Sequence, residues 1–312
     1  MSATLTIRTA EVTLDLLFER YRTRLVNRNR SPQAIANFTR SVVPFQHWLS
    51  ERDIRPEALA EDHLYAYFNS SDYPYAPGTR RLHAVQIRAA YRYGHSKGWL
   101  SGADPFADFE LPAAPEPDPK PLTVEQLRAS RRACRNWRHV TLWGLLVYTG
   151  MRRNEIRMLS WEDVDLKKDT ITVVGKGGKR RVIPIHPDLR EILDSAPETG
   201  TPQAPPPPFG PKQGAVLWTQ ARGSATKGRG GHYANGRSFE KLKEAFSPDY
   251  GFHRFRKTVA TSLADNDVPG DVIDKIMGWA PAGVRARYYV KTKDASLQKA
   301  ILKLYADDPL GV

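Results

Sequence analysis

Apolar residues recur at helical spacing along the first hundred residues. In EVTLDLLFERYRTRL five apolar side chains form one stripe, Leu14, Leu17, Phe18, Tyr21 and Leu25. A second helix is predicted to begin after Ser31, because serine caps helix N-termini and Pro32 follows at the first helical position. Two further helical patterns lie in PEALAEDHLYAYFNS and PGTRRLHAVQIRAAYRYGHSKGWL. The pattern therefore predicts a helical N-terminal domain over residues 1–104.

The fourth predicted helix carries several arginines around an apolar stripe, which we expect to contain Leu82, Val85 and Tyr91. The arginines are Arg80, Arg81, Arg88 and Arg92. Arginines on a helix can contact DNA phosphates, but the arginines of an ordinary solvated face give the same pattern. Both interpretations stay open, and Arg80, Arg81 and Arg88 are kept as candidate DNA-binding residues.

The periodic pattern stops at residues 105–121, where six prolines occur. Proline fixes φ and removes a backbone donor, so this stretch is predicted to be a semi-extended linker. A second domain is predicted over residues 122–312, and it begins with a helix capped by Thr123. The segment VTLWGLLVYTG is apolar nearly all round, which predicts a buried helix that ends at Gly150.

The segment TITVVGKGGKRRVIPI predicts a β-hairpin, because two β-rich runs flank glycines that suit a tight turn. Four helical patterns complete the second domain: SFEKLKEAF, HRFRKTVATSLAD, PGDVIDKIMG and SLQKAILKLYA. A proline-rich insert at 196–214 is interpreted as a surface spacer, and a polyproline II ligand for another protein is the alternative.

Composition narrows the classes of function. The 312 residues include 47 Lys and Arg and 34 Asp and Glu, which gives a formal net charge of +13. This excess favours a polyanionic partner, because each neutralised phosphate releases condensed counterions. A protein with an ordinary basic surface is the alternative. Binding to a membrane surface is less favoured, since no predicted helix pairs a lysine face with exposed aromatic residues.

The cysteine and histidine content bears on location and metal binding. Cys134 is the only cysteine of the sequence, which excludes a disulfide framework and a cysteine-based zinc site. The eight histidines show no metal-ligand spacing. No apolar run reaches the length of a membrane span, and the N-terminus lacks the pattern of a secretory signal. A cytoplasmic protein without a metal ion is expected.

Two segments place a cation next to a glycine turn. In YTGMRRNEIR the buried helix ends at Gly150 and Arg152 follows at once, where a rigidly held guanidinium can meet a phosphate. In GKGGKRR the tip of the hairpin offers Lys176. The second segment resembles a nucleotide-binding P-loop only superficially, because no serine or threonine follows the lysine.

Two later segments hold a histidine–arginine pair and a tyrosine pair. His253 and Arg256 stand at i and i+3 in HRFR and share one helix face. In RARYYVKT, Tyr288 and Tyr289 would point about 100° apart on a helix, so one can react while the other packs. Each segment alone has a structural explanation in ordinary ion pairs and core aromatics.

Together these segments resemble the catalytic domain of the tyrosine recombinases, the family of phage integrases, Xer recombinases and Cre-like enzymes. The family pattern has an arginine in TG[LM]R, a lysine in a β-hairpin, HxxR, then G[HW] and a tyrosine nine residues later. The matching residues here are Arg152, Lys176, His253, Arg256, Trp279 and Tyr288. The resemblance covers roughly residues 120–305, and the preceding helical domain is similar to the family's core-binding domain.

The resemblance implies a mainly α fold with a small β-sheet. A helical, SAM-like core-binding domain and an α+β catalytic domain would form a C-shaped clamp on double-stranded DNA. A homotetramer on synapsed DNA is implied, with monomers or dimers when free. The C-terminal segment would then dock on a neighbouring protomer through Leu297, Ile301 and Leu304, and packing in cis is the alternative.

The resemblance also implies the activity, which is that of a site-specific recombinase or integrase. Such an enzyme cleaves and rejoins DNA by transesterification through a 3′-phosphotyrosine and requires no cofactor. A type IB topoisomerase, with the same chemistry and no synapsis, is the nearest alternative. A catalytically silent DNA-binding protein is the alternative of a different class, and its mark would be the loss of a catalytic position.

Each matched residue receives a role from the resemblance. Tyr288 would be the nucleophile, and Tyr289 would pack. The two arginines, 152 and 256, would hold the non-bridging phosphate oxygens, while His253 would help with the phenolic proton. Lys176 would protonate the leaving 5′ oxygen, and Trp279 would add an indole N–H donor or pack beneath the phosphate.

Three further residues are given supporting roles. Glu155, one turn after Arg152, is expected to orient a cation. Lys179 and Lys257 are candidate DNA contacts, and Lys257 occupies a position where Xer-like members often have histidine.

Overall fold

The computed structural model describes residues 13–70, 73–113, 120–175, 178–195, 216–217, 226–228, 231–233, 236–279 and 294–310. The chain divides into two compact units, Met1–Pro117 and Asp118–Val312. Both are mainly helical, and the second contains a small sheet. The predicted fold class is therefore confirmed in its helix and sheet content, while the C-shaped clamp stays a prediction. Within the described residues, no helix is long and apolar enough to cross a membrane.

The first unit consists of helices whose apolar faces enclose an aromatic core. The helices are α1 (Leu14–Asn27), α2 (Pro32–Ser50), α3 (Glu61–Asn69) and α4 (Pro77–Ser96), with a 3-10 turn at Pro56–Ala58. The Ser31 hydroxyl accepts a hydrogen bond from the amide of Ala34, so the predicted cap of α2 is confirmed. Phe18, Phe45 and Tyr91 are buried together at the centre of this unit.

The predicted apolar stripe of α4 is wrong at two of its three positions. Tyr91 is fully buried, but Leu82 and Val85 are 45% and 39% exposed. At 100° per residue Leu82 lies on the side of the helix opposite Tyr91, and Val85 is 120° away from it. The buried face instead carries mostly small or polar residues, namely His83, Ala84, Ile87, Ala90, Tyr91 and Gly94.

The first part of the predicted linker packs onto the first unit. Phe106 and Phe109 are buried in its core, with ring centroids 5.8 Å apart. The Asp104 carboxylate accepts a hydrogen bond from the Phe106 amide at 2.9 Å, which fixes the turn into this segment. Residues 105–113 therefore extend the helical unit, and residues 114–119 lie outside the described part of the chain.

The second unit is built from eight helices and five strands among its described residues. They are α5 (Val124–Arg132), α6 (Trp137–Thr149), α7 (Arg153–Arg157), β1 (Val164–Asp165), β2 (Thr170–Val174), β3 (Arg180–Pro184), α8 (Pro187–Asp194), β4 (Thr226–Gly228), β5 (Gly231–Tyr233), α9 (Gly236–Glu244), α10 (Phe252–Asp265), α11 (Gly270–Met277) and α12 (Asp294–Ile301). The antiparallel sheet β1–β2–β3 contains the predicted hairpin, with Ile171 opposite Ile183. Strands β4 and β5 form a separate antiparallel pair.

Helix α6 is the centre of the second core, as its apolar sequence predicts. Every residue from Thr141 to Thr149 is buried. The preceding helix α5 begins at the predicted cap, where the Thr123 hydroxyl accepts from the Gln126 amide. Helix α6 ends at Gly150, whose φ of 61° is left-handed and suits glycine. The chain thereby leaves the core and reaches Arg152 within two residues.

The C-terminal helix α12 packs within its own chain. Leu297, Ile301 and Leu304 are each at most 2% exposed and join the core of the second unit. Within the single chain, α12 contacts α11 and β3, and docking of this segment on a neighbouring protomer stays a prediction. The proline-rich insert at 196–214 lies outside the described residues.

Candidate active site

The last turn of α11 collects three arginine side chains on three consecutive backbone carbonyls. Arg181 Nε donates to the carbonyl of Ile276 at 2.9 Å, and Arg256 Nη2 donates to that of Met277. Arg152 Nη2 donates to the carbonyl of Gly278 at 2.9 Å. The last carbonyls of a helix lack intrahelical partners and carry the negative end of the helix dipole. This turn is therefore a suitable acceptor for several cations, and we call residues 276–278 the acceptor turn.

Arg256 is the most deeply buried of the predicted catalytic residues that the structure describes. It lies one turn into α10, is 4% exposed, and donates a second hydrogen bond to the carbonyl of Gly150. Its guanidinium thus joins the end of α6 to the end of α11. Burial, together with the neighbouring charge of Arg152, lowers the pKa of Arg256 to about 10. The group therefore stays positively charged at neutral pH.

Arg152 caps helix α7 and keeps part of its guanidinium accessible. Its side chain is 40% exposed, while Nη1 donates to Glu155 Oε1 at 2.9 Å. The backbone amide of Arg152 donates to Glu155 Oε2 at 2.7 Å, which forms a capping box. The side chain is therefore fixed on one edge and can still present N–H groups to a ligand. Glu155 has the orienting role that the sequence predicts.

Glu155 is a buried carboxylate that two arginines share. It accepts hydrogen bonds from Arg152 and, in a bidentate pair, from Arg181 Nη1 and Nη2 at 3.0 and 2.7 Å. Burial opposes its ionisation, but the hydrogen bonds and charges of Arg181 and Arg152 outweigh burial and lower the pKa of Glu155 to about 2. The carboxylate is therefore ionised throughout the physiological range.

Arg181 belongs to this cluster through Glu155, although it is part of none of the catalytic motifs of the sequence. It lies on β3 in register with buried Val173 and two residues before buried Ile183, so it has the inward parity of the strand. A cation at an inward strand position requires a buried anion as its partner. The alternation of inward and outward positions along β3 was therefore the sequence signal that could have identified Arg181 as a buried cation.

His253 and Trp279 lie at the rim of the arginine cluster. His253 is exposed on α10, one turn before Arg256. Trp279 follows the acceptor turn and is 45% exposed, with the guanidinium carbon of Arg256 5.6 Å from its ring centroid. The structure thus brings Arg152, Arg256 and Trp279 together through the acceptor turn.

Two predicted catalytic residues lie outside the described part of the chain. These are Lys176, which falls between β2 and β3 in the sequence, and Tyr288, nine residues beyond Trp279. Tyr289 and the whole segment RARYYVKT are outside it as well. Both residues stay predictions. The described residues that flank their segments are Gly175 and Gly178 for the first and Trp279 and Asp294 for the second.

The candidate DNA contacts of α4 differ in their surroundings. Arg80 donates three hydrogen bonds, to the carbonyls of Phe68, Tyr73 and Tyr75, which is a structural arrangement. Arg81 Nη1 donates to the carbonyl of Pro112 at 3.1 Å. Arg88 is partly exposed on the same helix. The geometry favours the packing interpretation for Arg80.

In the second unit, Lys179 is exposed beside the hairpin tip, and Lys257 is partly exposed on α10 next to Arg256. Lys257 shares helix α10 with Arg256, and Lys179 lies just before strand β3, which carries Arg181. Among the residues that the structure describes, no group of three or more His, Cys, Asp or Glu side chains could hold a metal ion.

Comparisons with known proteins identify the family. The chain matches the family profile described as "Phage integrase family" over residues 121–295. A tyrosine recombinase XerC from Myxococcus xanthus is 23% identical over 293 residues, which cover 88% of this chain and 93% of that protein.

Two solved structures have a similar fold. A lambda integrase tetramer bound to a Holliday junction has a TM-score of 0.63 and 16% identity, covering 93% of this chain and 82% of that one. The Tn1549 transposon integrase in complex with transposon right end DNA has a TM-score of 0.62 and 15% identity, covering 94% and 99% of the two chains.

The family match extends over more than half of the chain and includes the arginine cluster. It confirms the predicted resemblance, the enzyme class and site-specific recombination as the activity. The chain therefore belongs to the phage integrase family, the tyrosine recombinases, enzymes that cleave and rejoin DNA.

Proposed function

We propose that this recombinase cleaves a phosphodiester of duplex DNA with the hydroxyl of Tyr288. The phenol oxygen bonds to phosphorus, the 5′ oxygen of the next nucleotide leaves, and a 3′-phosphotyrosine stores the energy of the broken bond. Reversal by a 5′ hydroxyl then reseals the strand. The proposal is carried by one observation, the attachment of Arg152 and Arg256 to adjacent carbonyls of the acceptor turn.

The two arginines would stabilise the charge that gathers on the non-bridging oxygens of the phosphate. Each guanidinium has five N–H donors, and each uses two of its nitrogens on the protein. Because their orientation is fixed before DNA arrives, no reorganisation is needed as charge develops. Arg152 presents the more accessible edge, while Arg256 supplies a charge that the core holds in place.

Proton transfer is assigned to groups at the rim. A phenol ionises near pH 10, so about 1 in 1,000 is ionised at pH 7, a deficit of about 4 kcal/mol. His253, on the exposed face of α10 one turn before Arg256, would accept the phenolic proton. Lys176 would protonate the leaving 5′ oxygen, and the indole N–H of Trp279 would donate to the same phosphate.

Double-stranded DNA is the partner that the net charge of +13 favours. We assign DNA contacts to Arg88, Lys179 and Lys257, with a weaker assignment for Arg81 because its guanidinium already donates to Pro112. A homotetramer on two synapsed sites is proposed by analogy with the lambda integrase tetramer on a Holliday junction. The cytoplasmic nucleoid is the proposed place of action.

The nucleophile can be tested with suicide substrates, nicked duplexes drawn from the DNA that flanks the gene. Wild type and Tyr289→Phe are expected to form a covalent protein–DNA adduct that survives denaturing electrophoresis, and Tyr288→Phe is expected to form none. Adduct formation by Tyr288→Phe, with loss in Tyr289→Phe, would move the assignment by one residue. Equal adducts in all three proteins would refute a nucleophile in this segment.

A further inference from the structure

Arg181 is the arginine of the site whose guanidinium nitrogens donate the most hydrogen bonds to the protein. All three nitrogens of its guanidinium donate hydrogen bonds, two to Glu155 and one to the carbonyl of Ile276. Its side chain is only 9% exposed, against 40% for Arg152. Arg181 is therefore poorly placed to contact DNA. It carries the same charge as the more exposed Arg152, and both donate to the same oxygen of Glu155.

The bonds of Arg181 connect three elements that meet at the site. The side chain begins on β3, reaches α7 through Glu155, and reaches the acceptor turn at the end of α11 through Ile276. Glu155 in turn holds both the side chain and the amide of Arg152. Gly278 packs on Arg181 so closely that a Cβ there would lie 3.0 Å from Arg181 Cδ. The same turn leads to Trp279 and to the predicted nucleophile segment.

We propose that Arg181 is a positioning residue that fixes Glu155 and the acceptor turn, so that Arg152 is held in its reactive orientation. The proposal rests on the proposed function, in which Arg152 binds the scissile phosphate. Without Arg181, Glu155 would keep one cation instead of two, and β3 would lose its side-chain link to α7 and to the end of α11. Arg152 would keep its two contacts, but both of its acceptors would be free to shift.

The geometry requires a guanidinium and not only a positive charge. A planar fork places two parallel N–H groups on the two oxygens of Glu155 and still aims Nε at the carbonyl of Ile276. A lysine ammonium is a compact charge and cannot span both acceptors with this directionality. The substitution Arg181→Lys therefore keeps the charge and removes the link.

The matched control is Arg190→Lys in the same unit. Arg190 also bonds two carboxylates, Asp169 and Asp194, and one carbonyl, that of Leu166, but it lies on α8 and outside the arginine cluster. Single-turnover cleavage of a suicide substrate, with saturating full-length enzyme, measures the chemical step. Arg181→Lys is expected to slow it by about 10- to 100-fold, since small misplacements of catalytic groups have effects of this size. Arg190→Lys is expected to cleave at the wild-type rate.

A second readout separates positioning from general destabilisation. In a methylphosphonate substrate one charged non-bridging oxygen is replaced by a methyl group, which reduces the need for Arg152. The deficit of Arg181→Lys is expected to shrink on this substrate, while its DNA affinity equals that of wild type. If Arg181→Lys does not fold, the variant Glu155→Gln/Arg181→Met takes its place in both assays, because it removes one charge of each sign and leaves the net charge of the site unchanged.

Several results would overturn the inference. Arg181→Lys could cleave at the wild-type rate, Arg190→Lys could show the same deficit, or the deficit could be equal on phosphate and methylphosphonate. Each would show that Arg181 does not act through Arg152. A wild-type protein that forms no adduct would contradict the proposed function instead, so the two failures are distinguishable.

Discussion

Glu155→Gln is the substitution for which the structure gives the clearest quantitative expectation. The change keeps the shape of the side chain and removes the charge that pairs with Arg181 and Arg152. The folded pKa of Glu155 is lowered from 4.5 to about 2. A carboxylate with a lowered folded pKa stabilises the fold above its unfolded pKa, and this contribution is lost as the pH falls towards the folded value.

The size of the effect follows from the same two pKa values. Each pKa unit corresponds to about 1.4 kcal/mol, so ionisation of Glu155 contributes about 3 kcal/mol at pH 7. At pH 3, about 2 kcal/mol of this contribution is lost. Because protonated glutamate resembles glutamine, the free energies of unfolding of wild type and Glu155→Gln should converge by that amount between pH 7 and pH 3. The Glu155 side chain is 6% exposed, so solvent screening reduces the effect little.

The convergence can be measured by urea unfolding of both proteins at a series of pH values. Tryptophan fluorescence reports the second unit alone if Trp48 and Trp99, the tryptophans of the first unit, are replaced by phenylalanine in both proteins. The difference between the two unfolding free energies cancels the titration of all other carboxylates, which the proteins share. The pH dependence of this difference therefore reports the titration of Glu155 alone.

A constant difference between the two proteins from pH 7 to pH 3 would refute the reasoning. It would mean that the pKa of Glu155 is the same in the folded and unfolded chains, and that the two arginines do not stabilise its charge. Convergence centred above pH 4.5 would have the wrong sign, since it would indicate a raised pKa.

Three further predictions concern the core around the site. Gly150→Ala should lower the melting temperature more than Gly178→Ala, because both glycines have positive φ but only at Gly150 would a Cβ meet another group, Met277 Sδ at 2.6 Å. Cys134 should react with a thiol reagent at pH 8 only after unfolding, because burial raises its pKa to about 12; rapid reaction of the native protein would contradict this. Tyr305→Phe removes a buried hydrogen bond to the carbonyl of Val147 and should cost about 1–3 kcal/mol in urea unfolding.

Local signals predicted most of the helices correctly. Ser31, Thr123 and Gly150 mark helix ends through interactions within four residues, so their sequence context determines the result. The apolar face of α4 could not be found in this way. Its buried side holds alanine, glycine and histidine, and His83 is buried because it pairs with the hydroxyl of Tyr73. Tertiary packing decides such a face, and hydrophobicity alone does not reveal it.

Local signals also did not reveal that the first part of the predicted linker packs on the first unit. Prolines in 105–121 indicate extended backbone, and extended backbone can still pack if it carries large apolar groups. Phe106 and Phe109 supply those groups and complete the core of the first unit. Proline content therefore gave no information on which unit residues 105–113 pack against.

In the candidate site, too, the sequence predicted which residue types take part but not all of the contacts that hold them in place. Arg152, His253, Arg256 and Trp279 could be named from short motifs. Arg181 belongs to none of these motifs, and its contacts with Glu155 and Ile276, 26 and 95 residues away, are seen only in the fold. The acceptor turn carries even less signal, since it uses backbone carbonyls that any residue provides.

The acceptor turn can bind three guanidinium groups because of its position in the fold. It ends a helix, so its carbonyls have no intrahelical partners, and Gly278, with a φ of 62°, lets the chain close against Arg181. Three guanidiniums would repel one another if only their charges were considered. The buried carboxylate of Glu155 and the negative end of α11 offset that repulsion, and Arg181 donates hydrogen bonds to both. In the proposed function, the donors of Arg152 that the described residues leave unused would bind a phosphate.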